Sequence, residues 1–567
     1  MKILFYYSSI AEIYRRNNKP RKYIETVDLY LKTHIDTFNP ILAQQLEWLP
    51  TQQGELPDDQ LIALITETKP EIFCTSHFLW NHTNIMSQLA RIRPKVDPNI
   101  IFVAGGPSID VNINSNFFQE YPFINYAVYG PGERGFYDLM NSLINNNTLR
   151  SINTSNLAWY DHDKQKQIVA GYQYVPMNSI SPYLHNKQRF TDAIRKEQAQ
   201  GFALAISYEL TRGCPYSCTF CDWNSGLGNK TTRRKNTYQE EIDLFHELEL
   251  YDLYLGDANT GQYQEDIDMF NYFADLNINK GANFKLKGNY SKLQKDNNLK
   301  LFHILAQGNL SENGFVTAIQ DINPQILKNI DRPSISWEEQ VKIIDELYVA
   351  YPHLHSHIQL IQGLPGQTVA SWRETLKEIC KRPVTLQIFV NELLAASPAI
   401  RDPNYQQKWK YTYSDSVRYT ARTNPPSYFR ARFSQSCISF TQKEYVEISV
   451  LSHIYSALSG IKFAFGKYQK DFNIELYVEE FLKSKNYQML VDNLYNNWLD
   501  DKFYYTINFD GNLYNVCACN GQEATMIWGH TKEFQNFILK HASNQEFIQE
   551  FTESLGTDRL LNAIAEY

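Results

Sequence analysis

Residues 211–223 read TRGCPYSCTFCDW and place Cys214, Cys218 and Cys221 at the spacing CxxxCxxC. Three thiolates can bind three irons of a cubane and leave the fourth iron with an open coordination position. The alternatives are three unrelated thiols or a zinc site. Zinc usually takes four ligands in paired knuckles, and no second CxxC or HxxxH pair lies nearby in the sequence. The stretch therefore predicts a [4Fe-4S] cluster whose open iron can bind a ligand.

The cysteine stretch directly follows the first of six apolar segments that alternate with helical patterns. The six segments are ALAISYEL (203–210), LYDLYLGDA (250–258), NFKLKGN (283–289), GFVTAIQD (314–321), HSHIQLIQG (355–363) and VTLQIFVNE (384–392). Helical patterns such as SWEEQVKIIDELYVA (336–350) lie between them. Six such units within residues 201–395 predict a partial parallel (β/α)6 barrel rather than the eight-fold form.

Residues 1–150 show a similar alternation, with the apolar runs MKILFYYS, EIFCTSHFL, IIFVAGGPS and FINYAVYGPGE. Short apolar strands with intervening helices predict a doubly wound, Rossmann-like parallel sheet. Ligands of such sheets bind beyond the carboxyl ends of the strands. The candidate ligand-binding residues at those ends are Gly105, Gly106, Gly130, Gly132 and Glu133. Residues 151–200 lack this rhythm and are expected to be a linker.

Residues 396–567 are expected to form a third, α+β domain that faces the substrate. NPPSYFRARFSQSC (424–437) is rich in aromatic residues and arginine, and residues 445–498 contain two expected helices. KFYYTINFDGNLYNVCAC (502–519) has alternating strands around Asp510-Gly511, a good two-residue hairpin turn.

The bulk composition narrows the functional classes. The net charge of −8 over 567 residues argues against a surface for nucleic acid. The sequence has no apolar run long enough to span a bilayer. Eight cysteines in a chain of this length do not look like a disulfide framework. The protein is therefore expected to be cytoplasmic, with neither nucleic acid nor membrane as a partner.

The cysteine motif resembles that of the radical S-adenosylmethionine (SAM) superfamily, and the resemblance extends over residues 200–395. It implies that the chain binds SAM at the cluster, takes an electron from a donor such as flavodoxin or ferredoxin, and forms a 5'-deoxyadenosyl radical. By position, the implied SAM contacts are Phe220, Asp257, Gln320, Gly363, Leu364 and Gly366. A helix cap or a strand-end hydrogen bond is the alternative role for Asp257 and Gln320.

The segments VAGGPSID and YAVYGPGERGFYDLM resemble the cobalamin-binding-type domain that precedes the barrel in one subgroup of these enzymes. The sequence lacks DxHxxG, so no histidine is a candidate to coordinate cobalt from below. The domain could bind cobalamin without such a ligand, or it could be a retained scaffold. Both alternatives stay open from the sequence.

The whole plan resembles proteusin-type radical peptide epimerases and cobalamin-dependent radical methyltransferases. We favour an epimerase that converts L- to D-residues in a ribosomally made precursor peptide. Such an enzyme needs a thiol that returns hydrogen, and Cys437 is the first candidate, with Cys517 and Cys519 as alternatives. Cys74 is expected in the core, and Cys380 at the end of a barrel helix. A cobalamin-dependent C-methyltransferase is the second reading, and a non-catalytic iron–sulfur scaffold or sensor is a distant third.

Overall fold

The computed structural model of the chain describes most of the 567 residues. It leaves out residues 9–10, 17–18, 79, 112–113, 146–153, 224–228, 235–237, 312–313, 395–396, 421–426, 467–471, 500–503, 510–511, 518–531, 543 and 555–567.

The N-terminal domain is built on one mixed sheet with helices on both faces. Its strands are β1 (Lys2–Tyr7), β4 (Glu47–Trp48), β5 (Gln52–Gln53), β6 (Ile72–Ser76), β7 (Ile101–Gly105), β8 (Tyr126–Val128), β9 (Leu157–Asp161) and β10 (Lys166–Val169). Strands β2 (Ala11–Arg16) and β3 (Lys19–Ile24) belong to the sheet of the barrel. The order is β10-β9-β8-β7-β6-β1-β4, and β5 also pairs with β1. Strands β4 to β8 run parallel to β1 or to its neighbours. The four predicted strands and the doubly wound class are confirmed.

Alternation along β1 explains why both faces of this sheet are covered. Ile3, Phe5 and Tyr7 belong to one buried cluster, whereas Leu4 and Tyr6 belong to the cluster on the opposite face. The covering helices are Val27–Phe38, Pro40–Ala43, Asp58–Thr68, His82–Ile92, the 3-10 turn Arg93–Lys95, Phe117–Glu120 and Gly132–Ile144. The change of direction in strand order lies between β1 and β6, and ligands of doubly wound sheets bind at such a point.

Two features differ from the sequence expectation for this half of the chain. Residues 151–200, expected to be a linker, contain the antiparallel pair β9–β10, which extends the sheet, and the helices Pro182–His185 and Lys187–Ala199. The short strand β9 is buried by pairing with β8, a contact that no local pattern reveals. The hairpin β2–β3 comes from the N-terminal part of the chain but is not part of the N-terminal sheet. Its strand β3 pairs in parallel with the first barrel strand.

The barrel contains all six predicted strands in the predicted order. They are β11 (Ala203–Tyr208), β14 (Asp252–Leu255), β15 (Lys285–Lys287), β16 (Gly314–Gln320), β17 (His355–Gln362) and β18 (Val384–Val390), and the short pair β12 (Thr211–Gly213) and β13 (Thr231–Arg233) follows β11. They form two arcs, β15-β14-β11-β3-β2 and β16-β17-β18. The helices are Tyr238–Glu247, Gln264–Asn279, Lys295–Gln307, Pro324–Asn329, Trp337–Ala350, Val369–Ile379, Pro398–Arg401 and Pro403–Trp409.

The C-terminal region joins two hairpins to a helical layer against the barrel. Its strands are β19 (Thr412–Thr420), β20 (Ser427–Ser436), β21 (Tyr504–Phe509) and β22 (Asn512–Cys517). Its helices are Gln442–Ala464, Ile474–Lys483, Lys485–Leu499, Lys532–His541 and Gln545–Ser554. Residues 442–499 thus form three helices rather than the two expected. The strands flanking Asp510-Gly511 pair antiparallel as predicted, while the turn itself lies outside the described residues.

No helix in the described part of the chain is both long and apolar enough to cross a bilayer.

The buried ion pair Lys22–Glu197 links the hairpin β2–β3 to the helix Lys187–Ala199. The Lys22 Nζ lies 2.5 Å from Glu197 Oε2, and the two side chains are 6% and 1% exposed. The same ammonium donates to the Gln53 carbonyl of β5 at 3.0 Å. One lysine therefore joins β3, the N-terminal sheet and the helix Lys187–Ala199.

We expect Glu197→Gln to destabilise the chain by about 3 kcal/mol, because it leaves the buried Lys22 ammonium without its charge partner. The measurement is the midpoint of the first thermal unfolding transition. The control is Glu247→Gln, which removes an exposed pair with Lys187 and should change stability by less than about 1 kcal/mol. Equal midpoints for the two variants would contradict this role of the pair.

Candidate cluster site

The three cysteines of the motif lie at the carboxyl end of the first barrel strand. Cys214 and Cys218 are buried and Cys221 is half-buried. Among the described residues, no three His, Cys, Asp or Glu side chains converge closely enough to hold a single metal ion. A cubane does not require such convergence, because each thiolate binds a different iron.

The cluster loop, residues 214–223, is held at its centre by the opposite arc of the barrel. The Thr219 amide donates to the Ile330 carbonyl at 3.0 Å, and the Ala399 amide donates to the Thr219 carbonyl at 2.8 Å. The Thr219 hydroxyl donates to the Tyr405 hydroxyl at 3.1 Å. The loop is therefore fixed by backbone contacts before any cofactor binds.

Hydrogen-bond donors are aimed at the Cys214 sulfur. Asn259 Nδ2 lies 3.2 Å from Cys214 Sγ, and Lys292 Nζ lies 3.6 Å from the same atom. Burial raises the pKa of the Cys221 thiol to about 12, so iron binding there must release a proton. Three thiols within eight residues, with N–H donors facing a sulfur, form a donor set that suits an iron–sulfur cluster.

Phe220 and Leu364, two predicted SAM contacts, are brought together. Phe220 packs on a small apolar cluster that contains Leu364, Ile361, Ile326 and Ile330. This contact places the cluster loop against the end of β17, as the resemblance implies. The role of both residues toward adenine stays a prediction.

The glycines after β17 are closely approached by protein side chains, and their contact with adenine stays a prediction. Gly363 has φ +83°, and a Cβ built on it would lie 2.6 Å from Cε2 of Tyr445. A Cβ on Gly366 would lie 2.5 Å from Nδ2 of Asn329. Both glycines are required by the approach of protein side chains, so their close packing does not by itself indicate an adenine surface.

Asp257 fills the alternative role of a strand-end hydrogen bond. Its Oδ1 accepts from the amides of Leu210 and Thr211 at 2.8 and 2.9 Å, and its Oδ2 lies 3.9 Å from Arg233. Burial raises the pKa of this carboxyl to about 6. Gln320 ends β16 with φ +69°, an uncommon conformation for a residue with a side chain, and its ribose contact stays a prediction.

The candidate ligand-binding residues of the N-terminal sheet also have neighbours within the protein. Glu133 Oε1 accepts from Arg212 at 2.6 Å, and Arg212 also lies 3.2 Å from Glu209. A Cβ on Gly106 would lie 2.5 Å from the His77 carbonyl oxygen, and one on Gly130 would lie 2.5 Å from the Tyr172 ring. At Gly105 and Gly132 a Cβ would make only ordinary contacts. Glu133 is therefore an interdomain ion-pair partner, and the role of these residues toward a ligand stays a prediction.

Cys437, the first candidate hydrogen donor, lies behind the glycine segment after β17. Its Sγ is 3.0 Å from the Ser439 hydroxyl, and that hydroxyl accepts from the Gly366 amide at 3.0 Å. The thiol is half-buried. Cys517 ends β22 opposite Tyr504, and Cys519 lies outside the described residues. Cys74 is buried, as expected, and Cys380, also buried, caps the C-terminus of the helix Val369–Ile379, where it was expected.

A comparison with protein families finds the radical SAM superfamily at residues 208–379. These residues are a radical SAM domain. The match begins at the last residue of β11, covers the cluster loop and ends at the helix after β17. The cofactors of this domain are a [4Fe-4S] cluster and SAM.

Two curated proteins resemble the chain. The cobalamin-dependent radical SAM methyltransferase TokK of Streptomyces tokunonensis is 27% identical over 313 residues, which are 54% of this chain and 44% of TokK. The 2-(S-pantetheinyl)-carbapenam-3-carboxylate methyltransferase of Streptantibioticus cattleyicolor is 28% identical over 324 residues, with the same 54% and 44% coverage. The chain thus spans less than half the length of these relatives.

Solved structures support the fold of the whole chain. The cobalamin-dependent SAM radical enzyme OxsB, solved with aqua-cobalamin and SAM, matches with a TM-score of 0.55 at 12% identity and covers 100% of this chain and 83% of its own. The radical SAM methyltransferase TsrM of Kitasatospora setae, solved with cobalamin and a [4Fe-4S] cluster, matches with a TM-score of 0.54 at 10% identity, covering 82% and 96%. The predicted combination of a cobalamin-binding-type N-terminal domain and a radical SAM barrel is confirmed as a fold.

Sequence reasoning missed the polar residues that surround the cysteines. Arg212 stands in the motif itself, Asn259 lies two residues after Asp257, and Arg332 ends the stretch TAIQDINPQILKNIDR (317–332). Lys292 had no signal, because its approach to Cys214 depends on the loop after β15. For Arg212, Asn259 and Arg332, the only signal in the sequence was a polar residue near the end of a strand.

We expect alanine at Cys214, Cys218 or Cys221 to give folded protein with little iron and no 5'-deoxyadenosine, because the site has no spare thiol. Iron content and product formation after anaerobic reconstitution are the measurements. Cys380→Ala, which removes a buried thiol outside the site, should keep its iron. Full SAM cleavage by any of the three motif variants would rule out this site.

Proposed function

We propose that the chain is a cobalamin-dependent radical SAM methyltransferase that transfers a methyl group to carbon. Both curated relatives described above are methyltransferases, and one is named as cobalamin-dependent. The precursor-peptide epimerase favoured from the sequence has no counterpart among these relatives. The methyltransferase, the second reading from the sequence, is therefore the better supported one.

The observation that carries the proposal is the junction between the two sheets. Glu133 begins the helix after β8, at the carboxyl edge of the N-terminal sheet, and pairs with Arg212 two residues before Cys214. Burial raises the pKa of Tyr129, which also follows β8, and the nearby Arg401 partly offsets that rise. The helix Pro398–Arg401 holds the cluster loop through Ala399. The ligand edges of both sheets therefore approach the same loop.

The carboxyl edge of the N-terminal sheet also offers a surface that suits a flat macrocycle. Phe78 and Trp80 follow β6, next to the point where strand order changes, and their rings stack at 4.7 Å and 6°. Trp80 is 43% exposed, so one side of this aromatic pair is open to a ligand. In this proposal the exposed Trp80 ring would cover one face of the corrin, and Phe78 would support that ring from behind. When bound, cobalamin supplies the methyl group.

The barrel interior would hold the methyl acceptor. Helices cover the outer faces of the strands, so strand residues that remain exposed face the interior. These residues include Ser207 on β11, Tyr254 on β14 and Phe389 on β18. Hydroxyl groups on one arc and an aromatic ring on the other give a wall of mixed polarity, as binding pockets for organic ligands usually have.

The acceptor and the electron donor are proposed by class. A carboxylate-bearing small molecule is suggested by the name of one relative, and a precursor peptide remains the class expected from the sequence. The electron is proposed to come from a low-potential carrier such as flavodoxin or ferredoxin. Neither partner affects the placement of the two cofactors.

Peptide epimerisation is the second candidate, and one contact favours it. The Cys437 thiol reaches the Gly366 amide through the Ser439 hydroxyl, which places a half-buried thiol beside the expected SAM segment. A hydrogen-returning thiol must keep its proton until it meets the substrate radical.

Product mass in deuterium oxide separates the two reactions. With cobalamin and SAM supplied to the reduced protein, we expect each converted acceptor to gain one methylene equivalent and no solvent deuterium at carbon. A gain of one deuterium without a methyl group, abolished by Cys437→Ala, would overturn the methyltransferase in favour of the epimerase.

We expect Trp80→Ala to weaken cobalamin binding by about tenfold or more, because an aromatic face is lost from the binding surface. Cobalt retained after gel filtration and the absorbance of bound cobalamin are the measurements. Phe38→Ala, which removes a 56% exposed ring at the far end of the helix Val27–Phe38, should retain cobalamin. Equal retention by both variants would show that the Phe78–Trp80 surface does not bind it.

A further inference from the structure

Arg332 is a buried cation without a carboxylate partner. The residue is 6% exposed, and among the described residues no Asp or Glu forms an ion pair with it. Its guanidinium donates to the Ala318 carbonyl, and its Nε is buried without a hydrogen-bond partner. An unpaired buried charge costs several kcal/mol, so this arginine needs a nearby negative group.

The cluster cysteines face Arg332, and they carry negative charge once they bind iron. Its side chain forms a hydrogen bond with Cys218, and its charge interacts with Cys218, Cys221 and Cys214, in that order of size. The backbone fixes this approach, because the Thr219 amide donates to the Ile330 carbonyl at 3.0 Å, two residues before Arg332. Thiols alone carry no charge at neutral pH, whereas the ligands of a bound cluster do.

Lys292 supplies a second cation, beside a different cluster cysteine. Its Nζ lies 3.6 Å from Cys214 Sγ and 4.7 Å from the centre of the Tyr216 ring, which holds the ammonium over the motif. Lys292 reaches Cys214 from the loop after β15, and Arg332 reaches Cys218 from the loop after β16. Two independent elements therefore direct positive charge at two cluster ligands.

We propose that Arg332, assisted by Lys292, sets the reduction potential of the cluster by placing positive charge against its thiolate ligands. The inference rests on the [4Fe-4S] cluster of the radical SAM domain and not on which group the enzyme transfers. Arg332 acts through Cys218 and is a positioning residue for charge, with no direct role toward the acceptor.

The physical reason is the charge change on reduction. A [4Fe-4S]2+ core with three thiolates carries a net charge of −1, and one electron from an external low-potential donor makes it −2. A fixed cation stabilises the more negative form more strongly, and charge and hydrogen bonds at the sulfurs are known determinants of cluster potentials. Arg332 and Lys292 would therefore make reduction easier.

The test is a redox titration of the reconstituted cluster protein, followed by electron paramagnetic resonance and run without cobalamin or acceptor. For Arg332→Gln we expect the ratio of reduced to oxidised cluster at a fixed potential to fall by about tenfold, which is about 59 mV for one electron. Arg332→Lys should restore most of the ratio, because it keeps the charge. Lys292→Gln should shift the ratio in the same direction.

The control is Arg382→Gln. Arg382 lies just before β18, away from the cluster loop, and pairs with Asp345 of the helix Trp337–Ala350. Its titration should match that of the unmodified protein. If Arg332→Gln does not retain a cluster, the titration midpoints of Arg332→Lys and Lys292→Gln test the inference instead. An unchanged midpoint in Arg332→Gln with full iron, or in Lys292→Gln where only that variant loads, would overturn the inference. Because neither cobalamin nor acceptor is present, these results do not depend on methyl transfer.

Discussion

The Arg212 guanidinium lies between Glu133 of the N-terminal domain and Glu209 at the end of β11, two residues before the first cluster cysteine. Its side chain is 14% exposed and that of Glu133 is 11% exposed, so separating them would leave charges in a poorly solvated place. This one contact fixes the start of the cluster loop and the carboxyl edge of the N-terminal sheet together. The spatial relation between the two proposed cofactor surfaces depends on it.

Other contacts extend this constraint around the loop. Asp257 accepts the amides of Leu210 and Thr211, so the second barrel strand holds the backbone that leads into the cysteines. Ile330 and Ala399 hold the middle of the loop from the opposite arc. A radical enzyme must keep water and stray reductants away from its reactive centre, and a loop held from three sides, with two of its three thiols buried, is consistent with that need.

The sequence predicted local features well and long-range partners poorly. The six barrel strands, the four parallel strands of the first domain and the cysteine motif depend on hydrophobic runs and close spacing, which a linear pattern contains. Glu133 was predicted to bind a ligand, and the sequence did not show that it pairs with Arg212, 79 residues away. Gly363 was predicted to approach adenine, and the sequence did not show that the ring of Tyr445, from a helix in the next domain, packs against it. Such roles depend on which elements meet, and one sequence does not state this. The methyltransferase is better supported than the epimerase favoured from the sequence, because a thiol can be identified in a sequence whereas its chemical use cannot.

The central claim is that one chain holds both an iron–sulfur cluster and cobalamin at the junction of its two sheets. The most direct measurement is the iron and cobalt content of anaerobically reconstituted, gel-filtered protein, read together with its absorbance spectrum. We predict about four irons and about one cobalt per chain. Full iron with no retained cobalt would contradict the claim that the N-terminal domain is a functioning cobalamin site.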